Sequence, residues 1–152
     1  MTTNQFDERA IQWTTFGDFV PSFQYHILNV DENSRIVDVL FKFPANEQIV
    51  LHRHRALNHT FVVQGEHRLY EVDGSLREVR PAGSYTVSAA SELPHREGGG
   101  ERDVLIVFSI RPGEGEEVLY ELLDDALNPL GTVTFQMLVE LYAAQQAGAP
   151  VR

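Results

Sequence analysis

The chain has 152 residues, 43% of them hydrophobic and 22% charged, the size and balance of one globular domain with a buried core. Its 12 basic and 22 acidic residues leave a formal net charge of -10, so it offers no basic face to displace counterions from nucleic acid or to hold an anionic membrane surface. It has no cysteine, which excludes disulfides, thiolate metal sites and cysteine nucleophiles and leaves any metal to nitrogen and oxygen ligands.

The first 13 residues lack the basic start and apolar run of a secretory signal. No apolar stretch approaches the roughly 20 residues of a membrane-spanning helix, and the expectation is a soluble, cytoplasmic chain. Residues 1–22 read as an irregular lead-in, with Trp13 or Phe16 tucking against a sheet. From there the dominant pattern is alternation. Residues 23–28 are predicted as a first strand and 31–34 as a turn. In 36–43, Val37, Val39, Phe41 and Phe43 fall on one face while Asp38 and Lys42 fall on the other, the signature of a half-buried strand. Further strands are predicted over 49–54, 59–64, 66–72, 76–80 and 84–88. Asp73-Gly74 makes a hairpin turn and Pro81-Ala82-Gly83 a break. The run Gly98-Gly99-Gly100 reads as a flexible loop, and 103–110 as the most apolar strand, ended by Arg111-Pro112-Gly113.

The C-terminal part changes period. Phe135, Leu138, Val139 and Tyr142 stand at i, i+3, i+4 and i+7, one stripe of a helix capped by Thr134, placed to cover the barrel or a neighbouring subunit. Residues 118–123 read as a shorter helix. The predicted organisation is one all-β domain with its core over 23–111 and a helical extension over 117–147.

The chemistry lies in the histidines, five of which fall between positions 52 and 95. His52 and His54 are two apart, so a strand there points both imidazoles to one face. His59 opens the next strand, on a face shared with Phe61 and Val63. His95 follows Pro94 at the end of a later segment, where a closed barrel would bring it opposite the pair. Imidazoles converging in this way suit Fe(II), Zn, Ni, Cu or Mn. His26 and His67 read as plain polar residues of a surface or cavity. No Gly-x-Ser-x-Gly elbow is present, and Gly98–Gly100 lacks the Lys-Ser/Thr of a phosphate loop.

These residues resemble the cupin superfamily. Its first motif, G-x5-H-x-H-x3,4-E-x6-G, is met by His52-Arg53-His54, with His59 where the family has glutamate and Gly65 closing the motif. In the second, Gly83 fits the first glycine and His95 the metal histidine, whereas Ala89 and Ser91 replace the usual proline and glycine. The likeness covers roughly residues 36–111. The stretch HRHRALNHTFVVQGEHRLYE and the segment Pro81-Ala82-Gly83-Ser84-Tyr85 are similar to the group around 2,4'-dihydroxyacetophenone dioxygenase and acetylacetone-cleaving dioxygenase. The resemblance implies a cupin-type double-stranded β-helix, a jelly-roll barrel, with a C-terminal helix. It implies one divalent transition metal, Fe(II) with Zn or Ni as alternatives, held by His52, His54 and His95. His59 is then a fourth ligand or a group just behind the ligands. It also implies a homodimer, and a small-molecule substrate cleaved at a carbon–carbon bond beside a ketone with dioxygen.

An all-imidazole set leaves the dication its full charge and so favours an enolate of a diketone or hydroxyaryl ketone. Phe41, Phe61 and Val63 would line the substrate space. Tyr25, Tyr85 and Arg96 are candidates for polar contacts to substrate, and Glu71 reads as a solvated strand charge. Two other functions compete: a non-catalytic zinc or small-ligand binding cupin resembling the ChrR anti-sigma factor, and a metal-dependent isomerase or hydrolase. An anti-sigma role calls for a separate partner-binding segment, and only about 20 residues precede the barrel.

Overall fold

The structure, a computed structural model, describes residues 7–148; residues 1–6 of the predicted lead-in lie outside it. The described elements are a 3-10 turn at Glu8–Ala10, twelve strands and one helix. The strands are β1 (Thr14–Thr15), β2 (Gln24–Asp31), β3 (Ile36–Phe43), β4 (His52–His54), β5 (Leu57–Gln64) and β6 (Glu66–Tyr70). They continue with β7 (Leu76–Pro81), β8 (Tyr85–Ser88), β9 (Arg96–Gly99), β10 (Val104–Arg111), β11 (Val118–Leu123) and β12 (Pro129–Thr134), and the helix is α1 (Phe135–Ala147).

One sheet has the order β1-β2-β3-β10-β5-β8. The other is made of two three-stranded pieces, β12-β11-β4 and β7-β6-β9. A bridge between His52 and His95 joins these pieces: His52 N–H donates to His95 O at 3.1 Å, and His95 N–H donates back to His52 O at 2.9 Å. β4 and β9 therefore run side by side, and the two sheets close on one core as a double-stranded β-helix. Alternation builds that core. Val37, Val39, Phe41 and Phe43 of β3 are all buried, and they meet Val104, Ile106, Phe108 and Ile110 of β10.

The lead-in and the helix cover this core. Phe16 stacks on Phe23 with ring centroids 5.2 Å apart, as the sequence led us to expect. Thr134 Oγ1 accepts from Met137 N–H at 3.1 Å and so caps α1. Phe135 and Leu138 of the stripe are buried. Gln145 then serves the backbone at the irregular pairing of β2 near Ile27: its Oε1 accepts from Ile27 N–H at 3.0 Å and its Nε2 donates to Ile27 O at 2.9 Å.

Two segments differ from their sequence reading. Residues 118–123 are strand β11, not a helix, so the extension over 117–147 is helical only from 135 and the sheets continue to residue 134. Tertiary pairing decides this: β11 is bonded to β12 on one side and to β4 on the other. The Asp124 carboxylate turns the chain between them by accepting from Ala126 N–H and Asn128 N–H at 2.9 and 2.8 Å. The glycine run is likewise no loop, since Gly98 and Gly99 are buried in β9. Glycine is needed there because the chain passes hard against residues 44–47. A Cβ on Gly98 would lie 1.7 Å from the Glu47 carbonyl oxygen, and Gly99 N–H donates to Pro44 O at 3.1 Å. Gly98→Ala should therefore destabilise the protein by about 3 kcal/mol, the upper end of overpacking costs, measured by urea unfolding.

Candidate metal centre

β4 places His52 and His54 on one face, and both are buried. The bridged strand opposite carries a second pair at the same spacing, His95 and Glu97. Two i, i+2 pairs on adjacent antiparallel strands thus turn four side chains into one point of the barrel interior. One ligand atom from each of His52, His54, His95 and Glu97 lies within 4.8 Å of the others.

The contacts are close. Glu97 Oε2 is 2.6 Å from His52 Nε2, 3.4 Å from His95 Nε2 and 3.5 Å from His54 Nε2. His95 Nε2 and His54 Nε2 are 3.0 Å apart. His52 Nδ1–H donates to the Val50 carbonyl at 2.7 Å, which turns the Nε2 lone pair inward. A lone pair and a carboxylate oxygen 2.6 Å apart are held together only by a cation between them, a proton or a metal ion. The other carboxylate oxygen, Oε1, accepts from His67 Nε2–H at 2.7 Å. His67 is wholly buried and its Nδ1 has no partner among the described residues. Behind His54, Asn58 Nδ2 donates to His54 Nδ1 at 3.3 Å, and Tyr120 Oη donates to Asn58 Oδ1 at 3.1 Å.

The electrostatics follow from burial. Burial pushes the Glu97 carboxyl up, but its polar contacts with His52, His54, His67 and His95 outweigh it and hold the group well below the usual carboxylate range. Burial holds His54 down at about 4 against the pull of Glu97, and it lowers His95 in the same way. Burial, then the Glu97 charge, raises the Tyr120 hydroxyl well above its ordinary value. Neutral imidazoles and an ionised carboxylate are the protonation states that a metal requires of its ligands. Three nitrogens and one oxygen, with no thiolate, fit a divalent first-row transition ion.

The structure places the other sequence candidates differently. On β5 the interior positions are Asn58, Thr60 and Val62, so His59, Phe61 and Val63 face outward. His59 is hydrogen-bonded through Nδ1 to the Tyr85 hydroxyl on that outer face and does not reach the centre. Phe61 is 44% exposed and Tyr85 61% exposed, so neither lines an interior substrate space. Phe41 does face inward, beside the centre. Tyr25 is buried against Phe16, with ring centroids 5.7 Å apart, and lines neither of the two cavities that meet at the centre. Arg96, alternating with Glu97, points away: it donates to Val72 O at 3.1 and 3.0 Å and pairs with Asp125. Glu71 is tied to Arg77 at 2.7 Å, and His26 is hydrogen-bonded to Gln12 O at 3.0 Å. His67, read from sequence as a plain polar residue, is the partner of Glu97. Sequence reasoning also passed over Glu97 itself, although His95-Arg96-Glu97 repeats the spacing of His52-Arg53-His54.

Two cavities meet at the cluster. One, of about 460 Å³ counting space open to solvent, has His52 and Glu97 among Phe41, Phe43, Phe108 and other apolar side chains. The second, of about 700 Å³ on the same count, is a polar cleft that includes His54, His95, Glu97 and two arginines.

The sequence matches no family model and no curated protein. Solved structures do match. An RmlC-like cupin protein of Ralstonia eutropha is 19% identical with a TM-score of 0.72, covering 100% of this chain and 92% of its own. The acetylacetone dioxygenase of Acinetobacter johnsonii is 13% identical with a TM-score of 0.66, covering 95% and 92%. A chain of the Rhodobacter sphaeroides complex of SigE with the anti-sigma ChrR is 22% identical with a TM-score of 0.54, covering 68% of this chain and 51% of that one. The chain has the fold of these RmlC-like cupin structures, with a buried histidine–glutamate cluster that could hold a metal ion. Within that fold it is similar to the acetylacetone dioxygenases. No helix among the described residues is long and apolar enough to cross a membrane.

His67→Phe keeps the ring among Phe43 and Phe108 but removes the donor to Glu97, so zinc or iron affinity should fall about 10- to 100-fold by competition with a chelator. His59→Ala should leave affinity unchanged in the same assay. The metal-free protein should also be acid-sensitive. Folding lowers His54 from 6.5 to about 4, so the unfolded chain binds that proton more tightly. Its contribution to stability is full above the unfolded value and is lost as pH falls from about 6.5 through about 4. The thermal midpoint of chelator-treated protein should drop over that window, and His54→Gln should flatten the drop.

Proposed function

We propose that this chain is a non-haem Fe(II)-dependent dioxygenase that cleaves a carbon–carbon bond beside the ketone of a diketone or hydroxyaryl ketone. The observation that carries this reading is the buried convergence of His52, His54, His95 and Glu97 between an apolar chamber and a polar cleft. The similarity to the acetylacetone dioxygenases supports it. His52, His54 and His95 would hold the ion, with Glu97 completing the set through Oε2 while Oε1 stays with His67. A bound divalent ion supplies Lewis acidity and, if iron, redox access to dioxygen.

The protein's own part is positioning. The Val50 carbonyl accepts from His52 Nδ1–H and fixes that ring, while ligation through His54 Nε2 would require the Asn58 amide to turn over, so that its Oδ1 accepts from His54 Nδ1–H and its Nδ2 donates to Tyr120 Oη. The apolar chamber bounds one side of the centre with hydrocarbon side chains and keeps water from it. A carboxylate in the set cancels part of the dication charge, so the site is less electrophilic than the all-imidazole set expected from the sequence. It still carries net positive charge toward an enolate. A homodimer would have the exposed Leu57, Phe61, Tyr85 and Val87 of β5 and β8 to cover.

A second reading, a zinc or small-ligand binding cupin without catalysis, is favoured by the likeness to a chain of the SigE–ChrR complex. Metal analysis with oxygen uptake separates the two. Chelation should abolish oxygen consumption with pentane-2,4-dione or a hydroxyaryl ketone, and Fe(II) alone should restore it. His52→Ala and His95→Ala should lose both metal and activity. Tight zinc with no oxygen uptake on any such ketone would sink the oxygenase and leave the binding module.

A further inference from the structure

We propose that the polar cleft is an anion subsite, built on Arg80 and Arg77, that selects a ketone also bearing a carboxylate. As a statement about substrate it rests on the enzyme reading above. In the register of β6 and β7, Arg80 lies opposite His67 and Glu78 opposite Leu69. His67 and Leu69 are interior residues, and directly opposed residues share a face, so Arg80 and Glu78 point into the barrel. A guanidinium there needs an anion. Its present partner is a poor one. The Arg80 side chain is 12% exposed, whereas Glu78 is 47% exposed at the rim. Arg80 Nε donates to Glu78 Oε2 at 2.6 Å, its Nη2 contact with Oε1 is 3.5 Å long, and among the described residues no hydrogen bond reaches its Nη1. Pairs with solvent-exposed carboxylates are weak and readily exchanged. A substrate carboxylate would meet the open edge of the guanidinium in the two-point geometry that arginine favours.

Arg77 lines the same cleft, pairing with Glu71 through Nε and Nη2 at 2.7 and 3.0 Å. It shares that lining with His54 and His95, so it stands on the same cleft wall as the centre. The acidic residues of the cleft wall are Glu78 and Glu97, and Glu97 is already engaged by His52 and His67. The facing wall carries the small Ser88, Ala89 and Ser91 and so leaves room for a ligand. Arg77 and Arg80 are the two arginines of the cleft wall, each held by a glutamate that is about half exposed, so a ligand carboxylate entering the cleft competes with Glu71 and Glu78 for them. The apolar chamber, whose titratable wall residues are His52, Glu97 and Tyr120 and whose lining includes no arginine or lysine, offers no such site, so the anionic end belongs in the cleft.

The test is calorimetric binding to zinc-loaded protein of two probes, pentane-2,4-dione and 2,4-dioxopentanoate, in which a carboxylate replaces one methyl; the arginine variants separate the subsite from any direct hold of the carboxylate on zinc. The expected result is at least tenfold tighter binding of the anion. Arg80→Gln should remove most of that preference, and Arg80→Lys, which keeps the charge, should retain part of it. Circular dichroism checks folding. If Arg80→Gln does not fold, Arg77→Gln, nearer the rim, must still cut the preference at least threefold. Equal or tighter binding of the neutral diketone, or a preference that no arginine variant alters, overturns the proposal. Oxygen uptake separates this from the enzyme reading. Arginine-dependent anion binding without oxygen consumption leaves the subsite and removes the oxygenase. Oxygen consumption on the neutral diketone with binding indifferent to the arginines does the reverse.

Discussion

The Glu97 carboxylate, buried among His52, His54, His67 and His95, is the interaction around which this barrel is arranged. An ionised carboxylate inside a protein is costly unless every lone pair has a partner. Here the interior supplies them from two sides, with Oε1 facing His67 on β6 and Oε2 facing β4. The arrangement is a chain of dependences. Gly98 lets β9 press against the backbone at Glu47, and that close passage sets the depth at which Glu97 enters the interior. The His52–His95 bridge sets the register, so that His52 and His95 face each other while His54 and Glu97 extend the cluster to opposite sides of that bridge. β4 is only three residues long, but β11 holds its other edge, so its two histidines have little freedom to turn away.

Much of this could be read from the sequence because it rests on period two. β3 has the predicted bounds and the predicted buried face, and the apolar run of β10 lies at the centre of the larger sheet. His52, His54 and His95 converge because strand parity and barrel closure are both legible in residue spacing. The misplacement of His59 has the same origin with the parity reversed. Motif spacing admits either three or four residues after His54, and only one choice points inward. The interior position is Asn58, which is 0% exposed, and His59 is its outward neighbour. Phe61 and Tyr85 went wrong with it, because Phe61 shares the parity of His59 and Tyr85 pairs with Phe61 in register.

What was illegible depended on contacts distant in sequence. Gly98-Gly99-Gly100 carries no side-chain period, so nothing local separates a glycine loop from a strand squeezed against another backbone. Residues 118–123 have apolar residues at neighbouring positions and fit neither period cleanly. Their state is decided by β4, some 60 residues earlier, and by the return through Asp124. His67 was passed over because its role exists only through Glu97, and Glu97 because a carboxylate two residues after a histidine is ordinary in an acidic chain.

The carboxylate also changes the chemistry expected of the centre. An all-imidazole set would leave a divalent ion its full charge and make the ion alone responsible for drawing in an enolate. With Glu97 in the set, part of that charge is cancelled where it is greatest. The cleft then matters more than the ligands do. Arg77 and Arg80 place positive charge beside His54 and His95 and away from the phenylalanine-lined chamber on the other side. The two sides of the centre therefore differ, apolar toward Phe41 and Phe108 and lined toward β7 by the Arg77–Glu71 and Arg80–Glu78 pairs. A ligand with one apolar end and one anionic end would be oriented by that asymmetry before any bond to a metal formed, so orientation and charge stabilisation would come from different walls of the same barrel.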